Sequence, residues 1–154
     1  MRNSIPTVSP QFAEYQLQVR RSGIHGYGVY AAEAIPPRRK VIEYTGERLT
    51  PRQFARRFRK NERMGARRKS SYFARLNRYW ILDGGVGGSG AQFVNHCCDP
   101  NLAARTLRGH QWLVSRRSIR RGEELTVDYN RAKNAPRTPC RCGSLKCRGT
   151  INRS

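Results

Sequence analysis

A chain of 154 residues with a net charge of +21 and a mean hydropathy of −0.79 has room for one domain and a compact core, and it contains no apolar run near the ~20 residues that span a bilayer. The first fifteen residues lack the basic start and apolar run of a secretory leader, so the reading is an intracellular protein of cytoplasm, nucleoid or nucleus, with export by a non-classical route left open. The charge comes from 26 Arg and only 5 Lys, planar forks suited to phosphate and carboxylate; coding bias that merely solvates the surface would produce the same total.

Residues 1–15 read as an arm and a candidate for disorder, with Pro6 and Pro10, no periodicity and little to bury. Short extended runs punctuated by glycine follow over residues 15–20, 29–31, 40–44, 72–76, 79–82 and 111–115, so the fold class is mainly β. One helix interrupts them, from 51 to about 63, with Thr50 as N-cap and Pro51 at the first helical position. Within the basic run from Arg52 to Arg68, Phe54 and Phe58 are four residues apart and form an apolar stripe, leaving the cations on other faces as the best candidate for a phosphate-binding surface. Residues 83–90 hold five glycines and form a loop. Residues 130–139 are a polar connector into a tail that carries Cys140, Cys142 and Cys147.

Three strings carry chemistry. Residues 92–101 read Gln-Phe-Val-Asn-His-Cys-Cys-Asp-Pro-Asn, residues 122–129 read Gly-Glu-Glu-Leu-Thr-Val-Asp-Tyr, and a C-x-C-x4-C tail follows. Together with Ser22-Gly-Ile-His-Gly-Tyr-Gly-Val-Tyr30 and Glu43-Tyr-Thr-Gly-Glu47, they resemble the SET family of protein-lysine methyltransferases over residues 16–152. The resemblance implies several small sheets, with residues 95–101 threaded beneath a loop near Tyr129. It divides the chain into an arm (1–15), a SET catalytic domain (16–130), and a connector with a post-SET zinc tail (131–154).

The same resemblance implies an S-adenosylmethionine pocket. His25, Gly26, Tyr27 and Gly28 would hold the methionine end, and Tyr72, Asn95 and His96 would form the other wall. Ile151 would cover the adenine. Read without it, the glycines make an ordinary turn, and Asn95 and His96 are buried polar groups satisfied by neighbouring strands. Gln92 stands where the family usually has Arg, which removes a fixed charge. Tyr129 matches the catalytic tyrosine and Tyr44 a second tyrosine of the lysine channel. Val127 occupies a position where Phe or Tyr is usual, leaving room for di- or trimethylation.

Five cysteines in a chain without an export signal favour thiols or metal ligands over disulfides, and a closed zinc site wants four sulfurs. The resemblance implies Cys98 as the fourth ligand beside Cys140, Cys142 and Cys147. Cys97, where Ser is usual, is either a competing ligand or a spare thiol. The implied partner is a protein offering a lysine side chain, with no membrane involved and no indication of oligomeric state. So basic an enzyme repels a basic histone unless nucleic acid bridges them or Glu43 and Glu47 line the groove. Two competing readings are a non-catalytic nucleic-acid binder on the same scaffold and methylation of a non-histone target such as a ribosomal protein.

Overall fold

The computed structural model describes residues 5–63 and 72–154. A hairpin opens the domain: β1 (Leu17–Arg21) pairs antiparallel with β2 (Tyr27–Ala31) around the glycine loop. Next come β3 (Lys40–Tyr44) and β4 (Glu47–Leu49), then α1 (Pro51–Arg63), β5 (Phe73–Arg75), β6 (Ile81–Asp83) and β7 (Asn95–His96). The chain continues through β8 (Leu102–Leu107) and β9 (His110–Ser115) to β10 (Thr126–Val127). Among the described residues the strands form four small sheets, β1-β2, β3-β9-β8, β4-β6-β5 and β7-β10. This is the mainly β architecture with one main helix that the sequence predicts.

The core lies where β2, β3, β8 and β9 converge, with Val29, Ile42, Leu102 and Leu113 almost fully enclosed and Ile119 and Leu125 closing it from the later loops. On β9 the buried residues alternate, Gln111, Leu113 and Ser115 inward, as a half-buried strand requires. The helix begins with a reciprocal cap: Gln53 N–H donates to Thr50 Oγ1 at 3.3 Å, and Gln53 Oε1 accepts from Thr50 N–H at 2.8 Å. Its Phe54 packs edge-on against Phe73 of β5, ring centroids 5.0 Å apart, and Phe58 stands next to Phe54. Of the basic run, Arg67 and Arg68 lie outside the described residues.

The N-terminal segment departs from expectation. From Ile5 onward it is ordered against the body: Ser9 N–H donates to the Ser89 carbonyl at 2.8 Å, Ala13 bridges Ile42, and Val8, Ala13 and Tyr15 pack on the core. It has a surface to cover because β3 would otherwise be an open edge.

β7 and β10 pair in parallel, Asn95 opposite Thr126 and His96 opposite Val127. A parallel pair needs a crossover, and here the intervening chain supplies it through β8 and β9. Asn101, 2% exposed, fixes the crossing: its Oδ1 accepts from Thr126 N–H at 2.8 Å, and its Nδ2 donates to the Glu124 carbonyl at 2.8 Å. The Asn-His string and the Asp-Tyr string are thereby side by side.

Candidate active site and metal centre

The loop between β1 and β2 is a tight turn. Ser22 N–H donates to the Gly26 carbonyl at 2.9 Å, and Gly26 takes φ +51°, a left-handed conformation that glycine adopts without strain. Asn95 holds the loop from below, its Nδ2 lying 3.2 Å from the His25 carbonyl and 2.9 Å from the Tyr27 carbonyl. The same nitrogen donates to Glu124 Oε1 at 2.9 Å, and Glu124 also accepts from Ser22 Oγ at 2.7 Å and from Tyr30 Oη at 3.0 Å. One carboxylate therefore organises the strand before the loop, the strand after it and Asn95. Gly28 has no room for a side chain, since a Cβ there would stand 2.2 Å from Glu124 Oε1. His25 and Gly26 remain exposed at the tip. An anionic carboxylate behind a rim of carbonyls, with backbone exposed in front, fits a ligand that carries cationic charge beside an extended chain, as S-adenosylmethionine does.

Three tyrosines lie close enough to influence one another. Tyr44 Oη donates to the Tyr72 carbonyl at 2.5 Å, and the Tyr72 ring meets Phe93 edge-on at 5.6 Å. Gly84 packs beneath the Tyr44 hydroxyl, where a Cβ would be 2.8 Å from it. Tyr129 Oη donates to the Val94 carbonyl at 2.9 Å, although the residue as a whole is 48% exposed. Burial raises the Tyr44 phenol far above its ordinary value, and neighbouring Tyr129, Asp83 and Tyr72 add to the effect. Burial pushes Tyr129 up to about 12, helped by Tyr72 and Glu124. Both phenols stay protonated at neutral pH, so each serves as a wall and a hydrogen-bonding group rather than as a strong base.

His96 connects these tyrosines to the cysteines. Its Nδ1 accepts from the Tyr129 N–H at 3.1 Å, which puts the ring proton on Nε2, and Nε2 lies 3.4 Å from Cys98 Sγ. Burial lowers its pKa, outweighing the attraction of Asp128, so the ring is neutral and can make both contacts. The rings of His96 and Tyr129 also meet edge-on, 5.3 Å between centroids.

The sulfurs of Cys98, Cys140, Cys142 and Cys147 lie within 4.8 Å of one another. Cys98 and Cys140 are 3.7 Å apart, matching the edge of about 3.8 Å for a tetrahedron of ~2.3 Å zinc–sulfur bonds. Four sulfurs at this spacing form a donor set that suits zinc. Cys97 Sγ lies 3.4 Å from the Asp99 carbonyl and near Cys142, but it is not among the four clustered sulfurs.

The sequence motifs do not announce the residues that clamp the tail. Arg148 binds Asp128 with both terminal nitrogens, at 2.8 and 3.1 Å, and its N–H points at Cys98 Sγ at 3.4 Å. Asn152, 4% exposed, donates to the carbonyls of Ala132 and Ala135 at 3.0 Å each, tying the connector to the chain end. Ile151 is half-buried on this tail, its N–H on the Thr138 carbonyl at 3.0 Å; among the described residues no hydrogen bond joins it to the loop or the tyrosines. Gln92 turns its amide toward the separate glycine-rich segment of residues 83–90, its Oε1 accepting from Gly90 N–H at 2.8 Å.

The two acidic groups that would offset the basic charge at a substrate groove, Glu43 and Glu47, each have a partner within the fold. Glu43 pairs with His110 at 2.6 Å beside a groove that borders Tyr44, and Glu47 shares Arg57 with Asp83. Glu47 is thus paired with a guanidinium, whereas Glu43 meets only an imidazole and lines the groove beside Tyr44.

A family model described as the SET domain matches residues 26–130. The chain is 36% identical to histone-lysine N-methyltransferase set-2 of Caenorhabditis elegans over 146 residues, covering 92% of this chain and 10% of that protein. It is 38% identical to the H3 lysine-4 specific histone-lysine N-methyltransferase of Saccharomyces cerevisiae over 139 residues, 86% of this chain and 13% of that protein. Trithorax of Drosophila melanogaster, also a histone-lysine N-methyltransferase, is 33% identical over 150 residues, 95% and 4% respectively. The chain thus spans about a tenth of the length of such relatives. With the Asn-His and Asp-Tyr strings paired in parallel and a four-sulfur cluster joined to them through His96, the chain belongs to the SET-domain family.

Proposed function

We propose that this chain is a protein-lysine N-methyltransferase that uses S-adenosylmethionine, carries a structural zinc in its tail, and modifies a lysine of a histone or histone-like protein. The observation that carries the reading is the continuous set of contacts from the glycine loop through Asn95 and His96 to Tyr129 and Cys98. His25, Gly26, Tyr27, Gly28, Tyr72, Asn95, His96 and Ile151 are assigned to the cofactor, Tyr44 and Tyr129 to the lysine channel, and Cys98, Cys140, Cys142 and Cys147 to zinc. S-adenosylmethionine supplies the methyl group on a cationic sulfur. The protein's part is geometric: aligning the reactants can contribute about 7–11 kcal/mol, and the tyrosine rings exclude water around the amine.

The target lysine must lose its proton before it can attack. Neither Tyr44 nor Tyr129 is an ionised base at neutral pH, so the proton leaves to solvent as burial near a cation depresses the amine's pKa. The two protonated hydroxyls then orient the neutral nitrogen. Val127, partly buried against the core at the end of β10, keeps a small side chain near this channel, which favours addition of more than one methyl group. Relatives named for histone H3 lysine 4 make a histone-type tail the first substrate to try. Incubation with methyl-labelled cofactor and a panel of histones and ribosomal proteins, with and without DNA, should label a lysine in a histone-type protein. Absence of label in every protein would refute the proposal.

A further inference from the structure

We infer that the exposed face of α1 is a docking surface for the phosphate backbone of a nucleic-acid duplex. Arg52, Arg56, Arg59, Lys60 and Arg63 are all exposed, and at 3.6 residues per turn they fall within an arc of about 100°. Phe54 and Phe58 occupy the opposite side, where Phe54 packs on Phe73, so the basic arc faces away from the domain. Arg57, between the two faces, is the one arginine of the helix that reaches inward, bound to Glu47 and Asp83. The pair fixes the roll of the helix and hence the direction of the basic face. No acidic residue falls on the arc, and its five cations have no acidic partner among the described residues.

Clustering on one face distinguishes this surface from scattered arginine. The stripe extends about 16 Å at ~1.5 Å per residue, enough to meet several phosphates of a strand that carries one per ~3.4 Å of duplex axis. It presents no aromatic ring, because both phenylalanines are turned inward, so it lacks the stacking platform that single strands use. Guanidinium forks without stacking partners fit a duplex backbone, read without regard to sequence. Given the methyltransferase reading, on which this consequence rests, a duplex held here would let a strongly basic enzyme meet a basic substrate on a shared polyanion.

The test is anisotropy of a labelled 20-base-pair DNA duplex titrated with the full chain between 50 and 200 mM salt. A variant carrying Arg52→Gln, Arg56→Gln, Arg59→Gln, Lys60→Gln and Arg63→Gln keeps good helix formers. Loss of five phosphate contacts should make the slope of log affinity against log salt shallower by about 4.5, so the affinity of the unmodified chain should fall roughly 500-fold further over that range. A control with Arg39, Arg105, Arg120, Arg121 and Arg141 changed to Gln removes the same charge from scattered exposed positions and should lose much less. Equal losses in the two variants, an unchanged slope in the helix variant, or tighter binding of a single strand of the same length would overturn the inference. Methylation of a free peptide is unaffected by the helix variant if the two readings are independent, so failure here is separable from failure of the catalytic assignment.

Discussion

Replacing Asp128 with Asn removes one charge from the clamp between the segment after β10 and the cysteine tail while keeping the side chain's shape. Asp128 and Arg148 make two charge-assisted hydrogen bonds at 2.8 and 3.1 Å, with each side chain 23% exposed. Such bonds contribute about 1.5–3 kcal/mol each before screening, and the partly wet setting reduces the loss to about 2 kcal/mol for the pair. At this chain length that loss lowers Tm by about 4–8 °C. Although burial raises the Asp128 pKa, the Arg148 guanidinium and the Asn130 N–H outweigh it and hold the carboxyl below its ordinary value. The stabilisation is therefore present above the unfolded pKa of about 3.9 and lost as pH falls through the folded value, so the Tm gap should be constant from pH 5 to 8. Arg148 N–H also faces Cys98 Sγ, so zinc should pass more readily to a chromogenic chelator. Thermal melts and chelator competition on Asp128→Asn, Arg148→Met and the double variant measure the coupling, expected at about 1–2 kcal/mol. Additive effects, or wild-type melting of Asp128→Asn, would refute the clamp.

Gly28→Ala places a Cβ where Glu124 now sits and displaces a carboxylate held by Ser22, Tyr30 and Asn95; calorimetry should show cofactor binding about 10-fold weaker or worse, and unchanged affinity would mean the loop is not the cofactor's seat. Asn101→Ala orphans Thr126 N–H and the Glu124 carbonyl, and urea unfolding should report a loss of about 3 kcal/mol. A loss below about 1 kcal/mol would contradict the role given to Asn101 in the crossing. Cys97→Ser should retain one zinc per chain by metal analysis while Cys98→Ser loses it; the reverse pattern would exchange their roles.

Local signals were legible where one residue type settles the matter. Thr50 and Pro51 announce the start of α1, and the helix runs over the expected residues. The tail spacing marks three cysteines as candidate ligands, the family resemblance adds Cys98, and the structure gathers these four sulfurs. What escaped is what only the chain's path creates. β8 reads Leu-Ala-Ala-Arg-Thr-Leu with only Leu102 buried, and β7 and β10 are two residues each, too short for any period to show. Glu124, Arg148 and Asn152 have the same appearance as solvated polar residues until partners far away in sequence arrive. Glu43 and Glu47 are one of the two ways the sequence offers to reconcile a basic enzyme with a basic substrate; Glu43 does border the groove beside Tyr44, and nothing in the sequence reveals that Arg57 pairs with Glu47. The N-terminal segment looked like an arm because its apolar residues are sparse, yet Val8 and Ala13 suffice to cover a sheet edge.

The most direct test of methyl transfer in a tyrosine-walled channel is mass spectrometry of a histone-type substrate after reaction with the unmodified chain and with Tyr129→Phe. The variant loses only the hydroxyl that donates to Val94 and should keep its zinc content and its melting temperature within a few degrees. The account predicts mass gains in methyl steps on a lysine for the unmodified chain, and a rate at least about 100-fold lower for the variant, in line with removal of one oriented hydrogen-bonding group. Methylation by Tyr129→Phe at the unmodified rate would contradict it.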